Sequence, residues 1–344
     1  MSSLRAHGRS HVLAAVVCVA RDPCRRAPFG YGRFVRYLGI EGIPRVSKVG
    51  LGTWQFGAWE WGYGDRYAQE EALRIVERAL ELGVTLFDTA EIYALGRSER
   101  ILGRALHGRR EGVFVATKFF PILPFAARVR RSAFASARRL GVERLDLYQV
   151  HQPNPFVRDG GMMRGMRSLQ ESGVVGEIGV SNYSLGRWQR AETALGRRVL
   201  SNQVRYSLVD RRPEHELIPY AAQQGRVVIA YSPLAQGFLS GRYDSGRRPA
   251  NWLRRHSRLF SSQSFSRADA LLRTLRELAV ARGVTPAQIA LAWTIRDPCV
   301  VAIPGASTVA QLEANAAAGE LELAAEEIAA LDSASAAYAR AVAA

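Results

Sequence analysis

Residues 83–93 read GVTLFDTAEIY: a short apolar run that stops at an acid, Asp88, and leaves as a loop carrying Tyr93. Runs of four to eight residues rich in Val, Ile, Leu and Phe mark buried strands. Working outward, the pattern recurs. GVFVATK ends at Lys118, LDLYQVH at His151, GEIGVS at Ser181, VLSNQ at Gln203 and RVVIAY at Tyr231. From Asp88 onward these polar residues lie 30, 33, 30, 22 and 28 residues apart, room for a strand, a loop, a helix and a second loop. A strand over 48–51 opens the series and CVVAI at 299–303 closes it, so the count reaches eight. The spacing predicts an α/β fold, a (β/α)8 TIM barrel of parallel strands with outer helices. An open doubly wound sheet is the alternative; against it, GLGTWQFG at 50–57 lacks the G-x-G-x-x-G turn of dinucleotide-binding sheets. Parallel strands put their carboxyl ends on one face, so the polar residues should converge on one cavity.

The intervening segments carry helical periodicity. In QEEALRIVERALEL, 69–82, Leu73, Ile75, Val76, Ala79, Leu80 and Leu82 recur at three- and four-residue spacing, with Glu and Arg on the other side. Segments 96–106, 126–140, 184–193, 267–282 and 286–295 read similarly, and Thr285 before Pro286 resembles a helix start.

With 344 residues, 48% of them hydrophobic, the chain holds enough apolar material for one large core, and 36–344 is expected to be a single barrel domain with a C-terminal helix and tail. Residues 1–35 are expected to be a disordered extension. The short patch VLAAVVCVA at 12–20 leaves a secretory leader as the alternative. Three cysteines, Cys18, Cys24 and Cys299, cannot build a disulfide framework, which suits a reducing, cytoplasmic setting. No run approaches the roughly 18 apolar residues of a membrane span. The net charge of +16 is mostly arginine scattered over helices, the pattern of a solvated surface, so no nucleic-acid partner is expected. The arginine-rich loop 241–258 differs, because it follows the seventh strand on the presumed active face.

Seven motifs in order, FDTAEIY at 87–93, ATK at 116–118, LYQVHQP at 147–153, GVSNYS at 179–184, SNQVRYS at 201–207, YSPLAQGFLSGRY at 231–243 and IPGAST at 303–308, give residues 36–335 a resemblance to the aldo-keto reductases. A carbonyl that accepts hydride gains negative charge on oxygen and needs a proton donor within hydrogen-bond reach. The resemblance assigns that part to Tyr93, with Lys118 favouring the phenolate, Asp88 holding the ammonium, and His151 orienting the carbonyl as a neutral ring.

The resemblance also implies the cofactor, NADPH, with NADH possible. Ser181, Asn182 and Gln203 offer the donors and acceptors a carboxamide requires. Tyr231 takes the stacking position, and Ser232, Pro233, Leu234 and Arg242 take the pyrophosphate. Gly305, Ser307, Gln311 and Asn315 match the adenosine end, where a helix start suits anions, although some members place a basic residue near 305 or 311. Asp88 is shared with the catalytic set, and Thr53 and Trp54 match at the end of the first strand. No metal is implied. Trp54, Trp59, Trp61, Phe119 and Phe120 suggest an apolar pocket for a small-molecule carbonyl substrate, and a monomer is the favoured state. Two other functions fit parts of the pattern: an NADPH-binding regulatory subunit, and a Schiff-base aldolase using Lys118.

Overall fold

The computed structural model describes residues 35–343 apart from 41, 44, 58–65 and 123–124. The expected extension over 1–35 and two of the tryptophans, Trp59 and Trp61, therefore lie almost wholly outside the described residues. A two-strand antiparallel hairpin comes first, β1 (Tyr37–Leu38) and β2 (Val46–Ser47). Eight parallel strands follow in sequential order: β3 (Leu51–Gly52), β4 (Leu86–Asp88), β5 (Phe114–Phe119), β6 (Leu145–Val150), β7 (Val175–Ser181), β8 (Ser201–Arg205), β9 (Val227–Tyr231) and β10 (Val300–Ala302). The sheet curls until its first and last strands meet. Gly50 N–H donates to Ala302 O at 2.8 Å, Ala302 N–H to Lys48 O at 2.8 Å and Gly52 N–H to Pro304 O at 3.1 Å. Closure needs Gly52, because a Cβ there would sit 2.7 Å from the Ile303 carbonyl oxygen.

Strand side chains alternate between faces, and the buried residues divide accordingly. Leu86, Phe114, Ala116, Leu147, Val227, Ile229, Val301 and Ile303 pack with Leu38 and Val46 of the hairpin inside the barrel. Phe87, Val115, Tyr148, Ile178, Val228 and Val300 instead pack outward among the helices. The hairpin was not legible as strands, since two residues carry no period. It forms the floor, where Tyr37 Oη donates to Gly83 O at 3.0 Å and Ser47 N–H to Thr85 Oγ1 at 2.9 Å.

The outer helices are α1 (Arg66–Glu81), α2 (Arg97–Ala105), α3 (Ala126–Leu140), α4 (Gly160–Glu171), α5 (Leu185–Leu195) and α6 (Leu217–Gln224). Beyond β9 come α7 (Trp252–Arg255), α8 (Ser262–Arg267), α9 (Asp269–Arg282), α10 (Pro286–Thr294), α11 (Val309–Ala317) and α12 (Ala325–Ala343). On α1, Ala72, Ile75, Val76 and Ala79 are buried, whereas Leu73 faces outward, one position off the apolar stripe to which the periodicity had assigned it. Thr285 opens α10 with a capping box to Gln288, and Gly141 ends α3 in the left-handed region at φ 67°. Many surface arginines are tied to carboxylates on neighbouring elements, as in Arg139–Glu99, Arg187–Asp159 and Arg198–Glu177. Among the described residues no helix is long and apolar enough to cross a membrane.

Candidate active site

Two-residue alternation explains how the polar rim arises. The inward positions run Leu86, Asp88 on β4; Phe114, Ala116, Lys118 on β5; Leu147, Gln149 on β6; Ser201, Gln203 on β8; and Val227, Ile229, Tyr231 on β9. β4, β5, β6 and β9 begin apolar above the floor and end polar at the mouth, while both inward positions of β8 are polar.

Lys118 is the hub. Its Nζ donates to Asp88 Oδ1 at 2.7 Å, to the Thr89 carbonyl at 2.8 Å and to Tyr93 Oη at 3.3 Å, and the side chain is wholly buried. Gln203 Nε2 donates to the other carboxylate oxygen, Asp88 Oδ2, at 2.7 Å. Tyr93 meets the His151 ring edge to face with centroids 5.6 Å apart, and Phe120 flanks the same imidazole at 5.9 Å. All four residues of the expected tetrad therefore stand together at the carboxyl mouth. The chain of contacts continues around the rim: Ser181 Oγ donates to Gln203 O at 2.9 Å, Asn182 Nδ2 to Ser181 Oγ at 3.0 Å, and Tyr231 Oη to Asn182 Oδ1 at 3.0 Å.

The electrostatics follow from burial and from that one ion pair. Burial by itself would lower the Lys118 ammonium, but the Asp88 carboxylate and the Tyr93 phenol outweigh it and raise the group above its ordinary value. A Schiff-base nucleophile must be a neutral amine, so this environment counts against the aldolase chemistry. Burial pushes the Tyr93 phenol upward too, and Lys118 opposes the shift without reversing it. This corrects the expectation that Lys118 brings the phenol down toward working pH: enclosure of the hydroxyl outweighs the neighbouring charge, and Tyr93 holds its proton. Burial, with Lys118 adding to it, lowers His151 to about 3, so the imidazole is neutral under ordinary conditions. Its Nδ1 is buried and has no partner among the described residues.

Among the described residues, the backbone strain gathers at one end of the barrel. The six non-glycine residues with positive φ among those described, Ala94, Leu95, Asn182, Ser232, Ala235 and Gln236, lie on loops leaving β4, β7 and β9 at the mouth. Left-handed backbone costs an ordinary residue about 1–2 kcal/mol and collects where function over-determines geometry. Ala94 and Leu95 turn the chain directly after Tyr93.

The remaining expected residues divide by position. Trp54 is half exposed at the rim. Thr53 is buried, and its hydroxyl donates to the Asp88 carbonyl at 2.9 Å and lies 2.7 Å from Ser98 Oγ, so it buttresses Asp88 rather than facing the cleft. Ser232, Pro233 and Leu234 follow β9 directly, and Arg242 is exposed beyond them. Gly305, Ser307, Gln311 and Asn315 gather at the start of α11, where Gln311 Oε1 accepts from Ser307 N–H at 2.9 Å and Asn315 Nδ2 donates to Gly305 O at 3.3 Å. Gln55, unnoticed in the sequence, donates to Ala306 O at 2.7 Å and packs beneath Gly305, where a Cβ would approach it to 2.7 Å. Gln149 was also missed, although it pairs in register with Lys118 and precedes His151 by two; its Nε2 is buried without a partner among the described residues. Glu91 was missed as well, and its Oε1 accepts from Phe120 N–H at 2.7 Å, joining the loop of Tyr93 to the loop after β5.

The amide and hydroxyl groups of Ser181, Asn182 and Gln203 on the adjoining ends of β7 and β8, and the aromatic Tyr231 beside them, suit a nicotinamide carboxamide and ring, while the unpartnered ring nitrogen of His151, beside Tyr93, suits a carbonyl oxygen. Among the described residues no group of three or more His, Cys, Asp or Glu could hold a metal ion.

Comparison with known proteins agrees with this architecture. The model of the aldo/keto reductase family matches residues 48–336. An uncharacterized oxidoreductase of Mycobacterium tuberculosis is 55% identical over 304 residues, covering 88% of this chain and 94% of the relative. The methylglyoxal reductase YeaE of Escherichia coli is 34% identical over 305 residues, with the same coverage of 88% and 94%. An aldo/keto reductase from Klebsiella pneumoniae, solved in complex with NADP and acetate, superposes with a TM-score of 0.68 at 33% identity, covering 84% of this chain and 91% of the other. With the family model spanning β3 to α12 and relatives aligned almost end to end, this chain belongs to the aldo/keto reductase family of oxidoreductases.

Proposed function

We propose that this protein reduces aldehydes or ketones to alcohols with NADPH as cofactor, Tyr93 giving the proton. The observation that carries the reading is the Lys118 ammonium, buried and held between the Asp88 carboxylate and the Tyr93 hydroxyl beside a neutral imidazole. Bound NADPH supplies the hydride that the carbonyl carbon accepts. As negative charge develops on the carbonyl oxygen, Tyr93 donates its proton there, and the adjacent ammonium stabilises the phenolate left behind. Asp88 and Gln203 keep the ammonium in place. His151, uncharged, donates from a ring N–H to the same oxygen and so selects its orientation. The phenol then regains a proton from solvent.

On this reading Ser181, Asn182 and Gln203 hold the carboxamide, and Tyr231 covers the nicotinamide ring. Ser232, Pro233, Leu234 and Arg242 approach the pyrophosphate, while Gly305, Ser307, Gln311 and Asn315 take the adenosine end. The NADP bound by the Klebsiella relative supports NADPH over NADH. Gln311 would have to release the Ser307 amide for a phosphate to use it.

Tyr93→Phe tests the donor. It should lower kcat by about 10²- to 10⁴-fold, the usual worth of a positioned acid, while fluorescence quenching by NADPH stays near the wild-type affinity. Unchanged turnover would remove Tyr93 from the role. Quenching by NADPH and NADH in parallel checks the nucleotide. A carbonyl panel that includes methylglyoxal, the substrate named for the Escherichia coli relative, checks the class. Binding of NADPH with no oxidation by any carbonyl would move the reading to a regulatory subunit.

A further inference from the structure

Arginine is matched by acid on some outer helices and not on others. On α1, Glu71 pairs with Arg74 and Glu81 with Arg78; on α9, Arg282 pairs with Glu327 of α12. On α2, α3 and α4 the balance fails. Arg100, Arg128, Arg130, Arg131, Arg138 and Arg164 are exposed, and none of their guanidinium groups has a hydrogen bond or ion pair among the described residues. The three helices hold two acids between them: Glu99, buried against Arg139, and Glu171, 3.6 Å from Arg197.

Packing makes one face of these helices, with α3 lying between α2 and α4. Glycines let them approach closely: a Cβ on Gly103 would stand 2.7 Å from the Leu140 carbonyl oxygen, and one on Gly165 would stand 2.9 Å from Ala126 Cα. Like charges are thereby gathered, at a cost that folding does not explain. Arg128 even occupies the first turn of α3, where the exposed amides favour anions, and neither α3 nor α4 has an acid in its first turn.

The same sector carries most of the exposed apolar surface. Of twelve large apolar side chains exposed among the described residues, six lie on the loops that lead into these helices: Ile92 and Leu95 before α2, Ile122 and Phe125 before α3, Phe156 and Val157 before α4. Phe134 is a seventh, on α3 among the arginines. Leu95 is 89% exposed and Phe156 93%. The tips are held outward, since Asn154 Oδ1 accepts from Phe156 N–H at 2.9 Å and Arg187 donates to Asn154 O at 2.8 Å. Scattered apolar residues need no explanation, but a cluster bordered by unpaired cations does.

We propose that this sector docks on an anionic phospholipid surface. Leu95, Phe156 and the neighbouring tips enter the boundary between headgroups and acyl chains, while Arg100, Arg128, Arg131 and Arg164 meet the phosphates. A nucleic acid would satisfy the arginines and leave the aliphatic tips hydrated, so it suits the face less well.

Co-sedimentation of the full chain with phosphatidylcholine vesicles, with and without phosphatidylglycerol, tests the proposal. The protein should pellet with the anionic vesicles at low salt and stay in solution with phosphatidylcholine alone. An arginine near an anionic surface is worth about fivefold in partitioning, so Arg128→Gln/Arg131→Gln/Arg164→Gln should bind about a hundredfold more weakly. Leu95→Ser and Phe156→Ser should each weaken binding about tenfold, the scale of one large apolar side chain. Circular dichroism checks that each variant folds. Absence of binding to the anionic vesicles overturns the proposal. Residues 1–35 carry arginines of their own, so binding that no substitution weakens belongs elsewhere in the chain and overturns it too. Loss in the arginine variant alone would make the face a site for soluble polyanions, nucleic acid included, and loss in the serine variants alone an apolar protein interface; either result rejects the membrane. Labelling with phenylglyoxal gives an arm free of substitutions. Anionic vesicles should slow the reaction of Arg128 and Arg131 and leave that of Arg276, exposed on α9, at its original rate. Equal rates at all three, with and without vesicles, overturn the proposal.

Discussion

Forty-seven residues of this chain are lysine or arginine, yet only two are lysine, and both are buried, at opposite ends of the barrel. Lys48 stands at the floor, where its Nζ donates to the carbonyls of Asp297 at 2.5 Å and Pro298 at 3.1 Å. Lys118 stands at the mouth against a carboxylate. Burial lowers Lys48 to about 7, with Arg36 adding to the effect and Cys299 and Asp297 opposing it. At the mouth the same burial is overcome by Asp88 and Tyr93, and Lys118 stays charged. Depth alone does not set the charge of a buried amine; its nearest partner does. The two ends differ in backbone as well, since every left-handed non-glycine residue among those described lies at the mouth. The floor closes the barrel with paired strands and satisfied carbonyls, while the mouth keeps strain, an ion pair and an unpartnered imidazole nitrogen for chemistry.

The widest separation between the two lysines should appear in turnover. Lys118→Met is expected to reduce kcat by about 10²- to 10⁴-fold by removing the charge that supports the phenolate, whereas Lys48→Met should change it little. Steady-state NADPH oxidation decides this, and equal losses would erase the distinction between floor and mouth. Stability should divide the same way. Lys118→Met leaves the Asp88 carboxylate buried without its cation, a loss of about 3–5 kcal/mol in urea unfolding. Lys48→Met strands only carbonyls, at about 1–3 kcal/mol.

A pH series sharpens the contrast further. The folded value of Lys48, about 7, lies below its ordinary 10.5, so the unfolded chain binds more protons between them and stability rises as pH climbs through that window. Lys48→Met should flatten that rise, as measured by denaturant unfolding between pH 6 and 10. The smallest effect concerns His151. With a folded value of about 3, its ring should show no NMR titration between pH 5 and 8. A midpoint near 6.5 would mean the imidazole is not enclosed. The same depression predicts that stability falls as pH drops from about 6.5 toward 3, where the unfolded chain takes up the proton first.

Much of this architecture was readable in advance because strands and helices leave periods. The runs ending at Asp88, Lys118, Ser181, Gln203 and Tyr231 correspond to five of the eight barrel strands, and His151 directly follows a sixth. Thr285 and Gln288 form the helix cap that their types suggested. Short or non-periodic features escaped. The floor hairpin is two residues per strand, α7 lies inside the arginine-rich loop 241–258, and α8, six residues long, follows just beyond it. Leu73 fooled the periodicity because it stands about 100° around the helix from Ala72, beyond the edge of the stripe that Ala72, Ile75, Val76 and Ala79 bury.

Sequence by itself determined the eight-fold alternation, the order of the strands and which polar residues end them, because those properties are local and repeat at the period of the backbone. Tertiary structure alone decided that Gln203 grips Asp88 across 115 positions, that Thr53 supports the acid instead of facing the cleft, and that burial raises Tyr93 while lowering His151. Those outcomes depend on enclosure and on partners brought together by closure of the barrel, and no local pattern encodes how much water is removed from a group once the chain has folded around it.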